Sequence, residues 1–379
     1  MFILAIIMIL EHTALLIIGV YLLHTLRHLD IGRKPSAPAS HTAASSPSIP
    51  TLNQYYKMWQ DSRVGTIAPS TAYNNDKRFV NISQQLGDVP LNEITADHIV
   101  SFQKYLLSKT IIRGDIDTGK HYSTRTIKEE ISLLSSILHS AVQAEYIVKN
   151  PCKHVKPVRN ANATSIRDTS HRALSDEELK VFLDEAKSSW YYPLFVFMLQ
   201  TGCRAGEAAA LTWEDIDFKK RLIHIHQTIE QTSANDWIIS KCPKTSSGKR
   251  KIPFNDEVEK ILCFQREKIS HLKKQTSSPT ALDSNMIFLD TRGNYVTRNN
   301  INAAIKSVIK RLHKNDVHTY HTFSSHAFRH TFATKCVEQG IKPEILKEIL
   351  GHSDIKMTME TYYHLSTERM SSVMNGIFI

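Results

Sequence analysis

A chain of 379 residues is longer than one ordinary hydrophobic core organises and fits about two or three domains. Lysine and arginine total 47 against 37 aspartate and glutamate, a net charge of +10 that favours a polyanionic partner, either nucleic acid or an anionic membrane surface. Five scattered cysteines (Cys152, Cys203, Cys242, Cys263, Cys336) with no C-x-x-C pair argue against a disulfide framework and a zinc knuckle, and for a reducing, intracellular setting.

Residues 1–34 begin with two apolar runs, Met1–Leu10 and Ala14–Leu23, broken by Glu11, His12 and Thr13. A membrane-spanning helix needs about 20 apolar residues, so the length suffices while the central charge is costly. Arg27, Arg33 and Lys34 follow the run, and by the positive-inside tendency would keep the rest of the chain cytoplasmic. No basic stretch precedes it, as a secretory signal would require. The segment reads either as a tether contacting the membrane through residues 1–23, or as a misassigned start or incidental extension. Residues 35–50 are rich in proline, serine and alanine and read as a linker.

Folded sequence is expected from Thr51. Over 51–157 the pattern is helical: Tyr55, Tyr56 and Trp59 share one face, as do Ile99, Phe102, Tyr105 and Leu106. After Ser123, suited to an N-cap, Ile127, Ile131, Leu134, Leu138 and Val142 recur at helical spacing with Lys and Glu opposite, and Asn150-Pro151 is the expected stop. Such stripes are ordinarily core. Residues 158–171 are polar and basic and mark a second linker. Ser175 followed by Asp176, Glu177 and Glu178 caps a helix, and an apolar helix through Phe195–Leu199 leads into Thr201-Gly202-Cys203-Arg204. Arg221–Ile229 alternates as a strand; Trp237–Ser240 and Arg250–Phe254 supply two more, with Lys241–Lys249 as the loop between them. Helices resume near Asn299.

Four segments of the 172–379 unit carry an unusual set of side chains. Arg204 and Glu207 stand three apart, which by itself suits a local ion pair. Pro243–Lys251, with Lys244, Lys249, Arg250 and Lys251, is by itself a solvated basic turn. His326, Arg329 and His330 share a helical face; the two histidines suit zinc, but Ala327 stands where a metalloprotease carries its glutamate. His352 follows the helix-ending Gly351, and Tyr362 lies ten residues beyond it. Taken together they suit attack by an oxygen on a phosphodiester. Two guanidiniums, Arg204 and Arg329, can grip the non-bridging oxygens where charge develops. A tyrosine must lose its proton, for which an imidazole is the natural acceptor, and a lysine on a turn can protonate the departing oxygen. No carboxylate cluster with metal spacing and no P-loop is present, so no metal or other cofactor is expected.

In order, TGCRAGEAAALTWEDID, PKTSSGKRKIP, HAFRHTFAT and LGHSDIKMTMETYYHLS resemble the motif blocks of the tyrosine recombinases, most like the integrases of phages and conjugative transposons. The resemblance spans about Arg172–Arg369, and 51–157 resembles the family's core-binding, SAM-like domain. It implies a mainly α fold with a small antiparallel β-sheet: a helical core-binding domain and an α/β catalytic domain. It also implies roles: Arg204 and Arg329 clamp the phosphate, Lys244 is the general acid for the 5′ leaving group, and His326 contacts the phosphate and helps proton transfer. His352 would donate to a phosphate oxygen, Tyr362 would be the nucleophile, and Glu207 would support the site from behind. The implied partners are double-stranded DNA with specific sites, three further copies in a tetramer, and an accessory excision factor. The small arm-binding domain that many such integrases carry has no counterpart in residues 1–50. Two other classes remain open: a type IB topoisomerase sharing the tyrosine chemistry, and a non-catalytic regulator using Pro343–Tyr362 as a helix-turn-helix.

Overall fold

The computed structural model describes residues 49–113, 116–158, 172–234, 236–241, 248–275, 285–314 and 320–363. The apolar segment 1–34, most of both linkers, Lys244 and the C-terminal stretch from Leu365 lie outside the described residues. Among those described, no helix is long and apolar enough to cross a membrane.

Helix α1 (Leu52–Asp61) starts where Thr51 accepts from the Gln54 amide and the Gln54 side chain answers on the Thr51 amide, a reciprocal capping box. Tyr55, Tyr56 and Trp59 are buried as their spacing requires. Helices α2 (Pro69–Leu86), α3 (Ala96–Ser108) and α4 (Thr124–Gln143) complete this first core. Ser123 caps α4 by accepting from the Thr126 amide. The inward face of α4 is rotated slightly from the expected stripe: Ile127, Leu133, Leu134, Ile137, Leu138 and Ala141 are buried, while Ile131 and Val142 sit at its flank. Glu130, expected outside, is buried and accepts from Asn81 Nδ2 at 2.8 Å.

The stop of α4 comes earlier than Asn150-Pro151. Glu145 takes the left-handed conformation (φ 61°), with Tyr146 N donating to Ala141 O and Glu145 N to Val142 O. This is the two-bond helix ending usually built on glycine. Asn150 instead caps a short 3-10 turn, Pro151–His154, and ties it to α4 through Ser135 O at 2.9 Å. Between α3 and α4 stands an antiparallel hairpin that a helical reading omitted, β1 (Thr110–Arg113) and β2 (Ile116–His121).

The second core begins with α5 (Asp176–Ala186), which the expected Ser175–Glu178 capping box opens, and the almost wholly buried α6 (Tyr192–Thr201). A five-residue helix, α7 (Ala205–Ala209), follows, then β3 (Ile216–Asp217), β4 (Leu222–Ile225), β5 (Gln227–Gln231), β6 (Trp237–Lys241) and β7 (Arg250–Pro253). The expected single strand 221–229 is two strands in different sheets: β3-β4-β7 form one antiparallel sheet and β5-β6 another. The break falls at His226, whose Nε2 lies 2.5 Å from Asp215 Oδ1, and Gln227 Nε2 donates to Ala210 O at 2.7 Å, drawing the chain off the first sheet. A 20-residue helix that the sequence reading passed over, α8 (Asp256–Gln275), buries Val258, Ile261, Leu262, Ile269 and Leu272. Helices α9 (Arg298–Lys314), α10 (His326–Glu338) and α11 (Pro343–Leu350) and a helical stretch over 355–363 complete the described chain.

Gly202 ends α6 with φ 63°, a conformation that glycine alone adopts without cost. A Cβ there would lie 2.4 Å from Phe332 Cδ1 and 3.0 Å from Leu350 Cδ2, so α6, α10 and α11 meet at this glycine. Gly202→Ala should therefore carry a left-handed penalty of roughly 1–2 kcal/mol and an overpacking penalty of about 1–3 kcal/mol. The urea midpoint should fall accordingly; an unchanged midpoint would show that these three elements are not locked together at residue 202.

Candidate active site

The turn after Gly202 sets Arg204 at the N-terminus of α7. Its amide donates to Glu207 Oε2 at 2.9 Å, its Nη1 to Glu207 Oε1 at 2.8 Å and its Nη2 to Gly351 O at 3.2 Å. The pairing of Arg204 with Glu207 read from their spacing is thus present, yet Glu207 is shared. Arg250, the first residue of β7, donates to the same carboxylate at 3.1 and 2.8 Å and from Nε to Ile349 O at 2.7 Å. Burial would raise the Glu207 carboxyl, but the hydrogen bond and charge of Arg250, then Arg204, hold it down at about 2. It is therefore ionised at any working pH.

Arg329 faces inward on α10 and is buried. Its Nη1 donates to Gly202 O at 2.9 Å and its Nη2 to Leu350 O at 2.7 Å. Burial and then the charge of Arg204 depress its guanidinium to about 9. Three guanidiniums against one carboxylate leave an excess of positive charge that an anion would relieve.

Gly351 ends α11 in the left-handed conformation (φ 66°), and His352 N donates back to Lys347 O at 3.1 Å. This ending directs His352 into the same pocket, where its Nδ1 lies 2.9 Å from Thr358 Oγ1. Burial first, then the charges of Arg329, Arg204 and Arg250, and of His326, lower its pKa to about 3. The ring is neutral, a hydrogen-bonding group and not a cation. His326, the exposed first residue of α10, sits with its ring edge-on to His330 at 4.7 Å. Among the described residues, no group of three His, Cys, Asp or Glu side chains is arranged to hold a metal ion.

Arg204, Arg329 and His352 are thus brought together, with His326 near enough to act electrostatically on His352. Tyr362 is not aimed at them. Its ring packs against the buried cluster of Ala333, Cys336, Val337, Leu346 and Leu350, and its hydroxyl donates to Ile341 O. Burial raises its pKa, with Cys336 and Glu344 adding to the effect, so the hydroxyl is held protonated. Tyr363 is exposed. Lys244 falls between β6 and β7, outside the described residues. Arg250 and Thr358 were absent from the sequence-derived set. A signal for Arg250 was its register: along β7 it alternates inward with the buried Ile252, an unusual side for an arginine.

The family model described as "Phage integrase family" matches residues 145–369, and that described as "Phage integrase, N-terminal SAM-like domain" matches residues 51–107. Among curated proteins, a "Tyrosine recombinase XerC-like" protein of Caldanaerobacter subterraneus is 29% identical over 269 residues, 68% of this chain and 67% of the relative. The "Transposase from transposon Tn916" of Enterococcus faecalis is 28% identical over 261 residues, 68% of this chain and 62% of the relative. The chain thus spans about two thirds of the length of these relatives. The Tn1549 transposon integrase, solved with transposon right end DNA, superposes with a TM-score of 0.66 at 25% identity, covering 85% of this chain and 99% of that one. A lambda integrase tetramer on a Holliday junction shares the fold at 16% identity and a TM-score of 0.54, covering 83% of this chain and 78% of its own.

Proposed function

This chain belongs to the phage integrase family, and on that footing we propose that it is a site-specific DNA recombinase acting through a 3′-phosphotyrosine intermediate, integrating or excising a mobile element. The observation that carries the reading is the pocket in which Arg204, Arg329 and a neutral His352 converge at the carbonyl end of α11 with unrelieved positive charge. In-line attack by Tyr362 Oη on the scissile phosphorus forms the P–Oη bond and breaks the bond to the 5′ oxygen. Arg204 and Arg329 stabilise the charge on the non-bridging oxygens, and His352 donates a hydrogen bond to one of them. The tyrosine proton leaves through His326, and Lys244 protonates the departing 5′ oxygen. Rejoining is the reverse, with a 5′ hydroxyl attacking the phosphotyrosine. Before attack, Tyr362 must release Ile341 O.

The 172–379 unit would carry the chemistry and the 51–157 unit would hold the duplex. Two open clefts on the latter share Glu129 and Ser132, one lined by Arg125 and Lys128 and the other by Arg63, Arg78 and Asn75. Glu129 pairs with Arg78 and Arg125, and the net positive charge that remains supports a phosphate-tracking role. The tetramer seen for lambda integrase supports the same assembly here, with an accessory factor setting direction. A topoisomerase would relax plasmid lacking any recombination site; this enzyme should not.

Lys244 gives a test of the chemistry. Lys244→Ala should slow cleavage on the order of 10²-fold or more, the loss expected for a general acid. Replacing the 5′ bridging oxygen with sulfur makes a leaving group that needs no proton. That substrate should restore much of the Lys244→Ala rate but little of the Arg204→Ala rate. Equal rescue of both, or of neither, would remove Lys244 from its assigned role.

A further inference from the structure

The last carbonyls of a helix have no partner within it and form its partially negative end. At the end of α11, three successive carbonyls each accept from a different guanidinium: Ile349 from Arg250, Leu350 from Arg329 and Gly351 from Arg204. Arg204 and Arg329 are the arginines to which the proposed reaction gives the phosphate. Arg250 is not among them, and its bonds suit a different task. All three of its nitrogens donate within the protein, two to Glu207 and one to Ile349 O, and its side chain is 6% exposed. Arg204, by contrast, gives Glu207 only Nη1 from its side chain and stays 40% exposed.

We propose that Arg250 is a positioning residue: by occupying Glu207 and fixing the carbonyl end of α11, it keeps Arg204 turned toward the scissile phosphate. The physical reason lies in competition for one guanidinium. A buried carboxylate left with a single arginine draws it into a two-bond, fork-to-carboxylate pair. Arg204 would then be committed to Glu207 and withdrawn from substrate. With Arg250 bound to both carboxylate oxygens, that demand is met from behind. Because Arg250 opens β7, the same bonds also anchor the start of that strand. The inference rests on the recombinase reading of the site.

The test measures single-turnover formation of the covalent complex on a nicked duplex carrying a site selected from randomised DNA by binding to the full-length protein. Two versions of the substrate are compared, one with a normal scissile phosphate and one with a neutral methylphosphonate there, which removes the charge an arginine has to stabilise. Arg250→Met should lower the rate on the normal substrate by about 10²-fold, the scale of one lost oxyanion donor, with site affinity unchanged. The methylphosphonate should shrink that loss, as it should the loss in Arg204→Ala. Adding Glu207→Gln to Arg250→Met should recover about tenfold, because the competing charge is gone. Should Arg250→Met fail to fold, Arg250→Lys, which keeps the charge without the fork, should show a smaller loss with the same methylphosphonate response. A wild-type rate for Arg250→Met, a loss equal on both substrates, or a loss that Glu207→Gln does not relieve would overturn the proposal. If the wild-type protein itself forms no covalent complex, the recombinase reading falls instead.

Discussion

Tyr362→Phe should reduce covalent capture of DNA to the floor of the assay while leaving site binding nearly intact. The substitution removes one oxygen and keeps the ring that packs against Ala333, Cys336, Val337, Leu346 and Leu350. The hydrogen bond to Ile341 O is lost as well, a net effect on stability of about 1 kcal/mol. That is too small to unfold the domain, so loss of the adduct would report chemistry. The neighbour supplies the control. Tyr363 is 67% exposed and outside the cluster that holds Tyr362, and Tyr363→Phe should retain capture. The assay is a nicked suicide duplex read on a denaturing gel. If Tyr363→Phe loses the adduct and Tyr362→Phe keeps it, the nucleophile has been assigned one residue too early.

Arg329→Ala should lower the cleavage rate by about 10²–10³-fold, the range for removing a preorganised donor from a developing oxyanion. It should also weaken the fold, because Gly202 O and Leu350 O lose their guanidinium donor in a buried setting. Each buried group left unpaired costs about 1–3 kcal/mol. The two effects separate by comparing single-turnover cleavage with urea denaturation. Arg329→Lys preserves charge but cannot reach both carbonyls in a fixed fork. It should recover part of the stability and little of the rate. Near-normal cleavage by Arg329→Ala would exclude this guanidinium from phosphate stabilisation.

Much of the fold was legible because local chemistry and long-range packing agree. The Ser123 and Ser175 caps begin their helices where the side chains indicate, and Tyr55, Tyr56 and Trp59 are buried together. The β1–β2 hairpin was not legible: Ile112 and Ile116 are exposed, so no alternation of burial announces the ribbon, which rests on cross-strand bonds such as Thr118 Oγ1 to Ile111 O. Helix α8 was obscured by its polar composition, with Gln265 in the inward register, satisfied by Ile287 O at 2.9 Å. The end of α4 was misplaced because Glu145 adopts a conformation that sequence reasoning reserves for glycine or asparagine.

At the site, motif spacing indicated Arg204, Arg329 and His352, and the structure brings them into one pocket. Motif spacing does not indicate which partner holds a side chain back. Sharing of Glu207 by two arginines depends on β7 lying against α11, a contact between segments about 100 residues apart. Likewise nothing near Tyr362 in the chain foretells that its hydroxyl rests on Ile341 O. Both are consequences of tertiary packing and not of local pattern.

The most direct test is to trap the protein on a nicked duplex in the presence of EDTA, digest the adduct with protease and identify the DNA-linked peptide by mass spectrometry. The expected result is a single linkage, from the phenolic oxygen of Tyr362 to a 3′ phosphate, with a free 5′ hydroxyl on the released strand. A linkage to a 5′ phosphate, attachment at another residue, or cleaved DNA with no attached peptide would contradict the proposed chemistry.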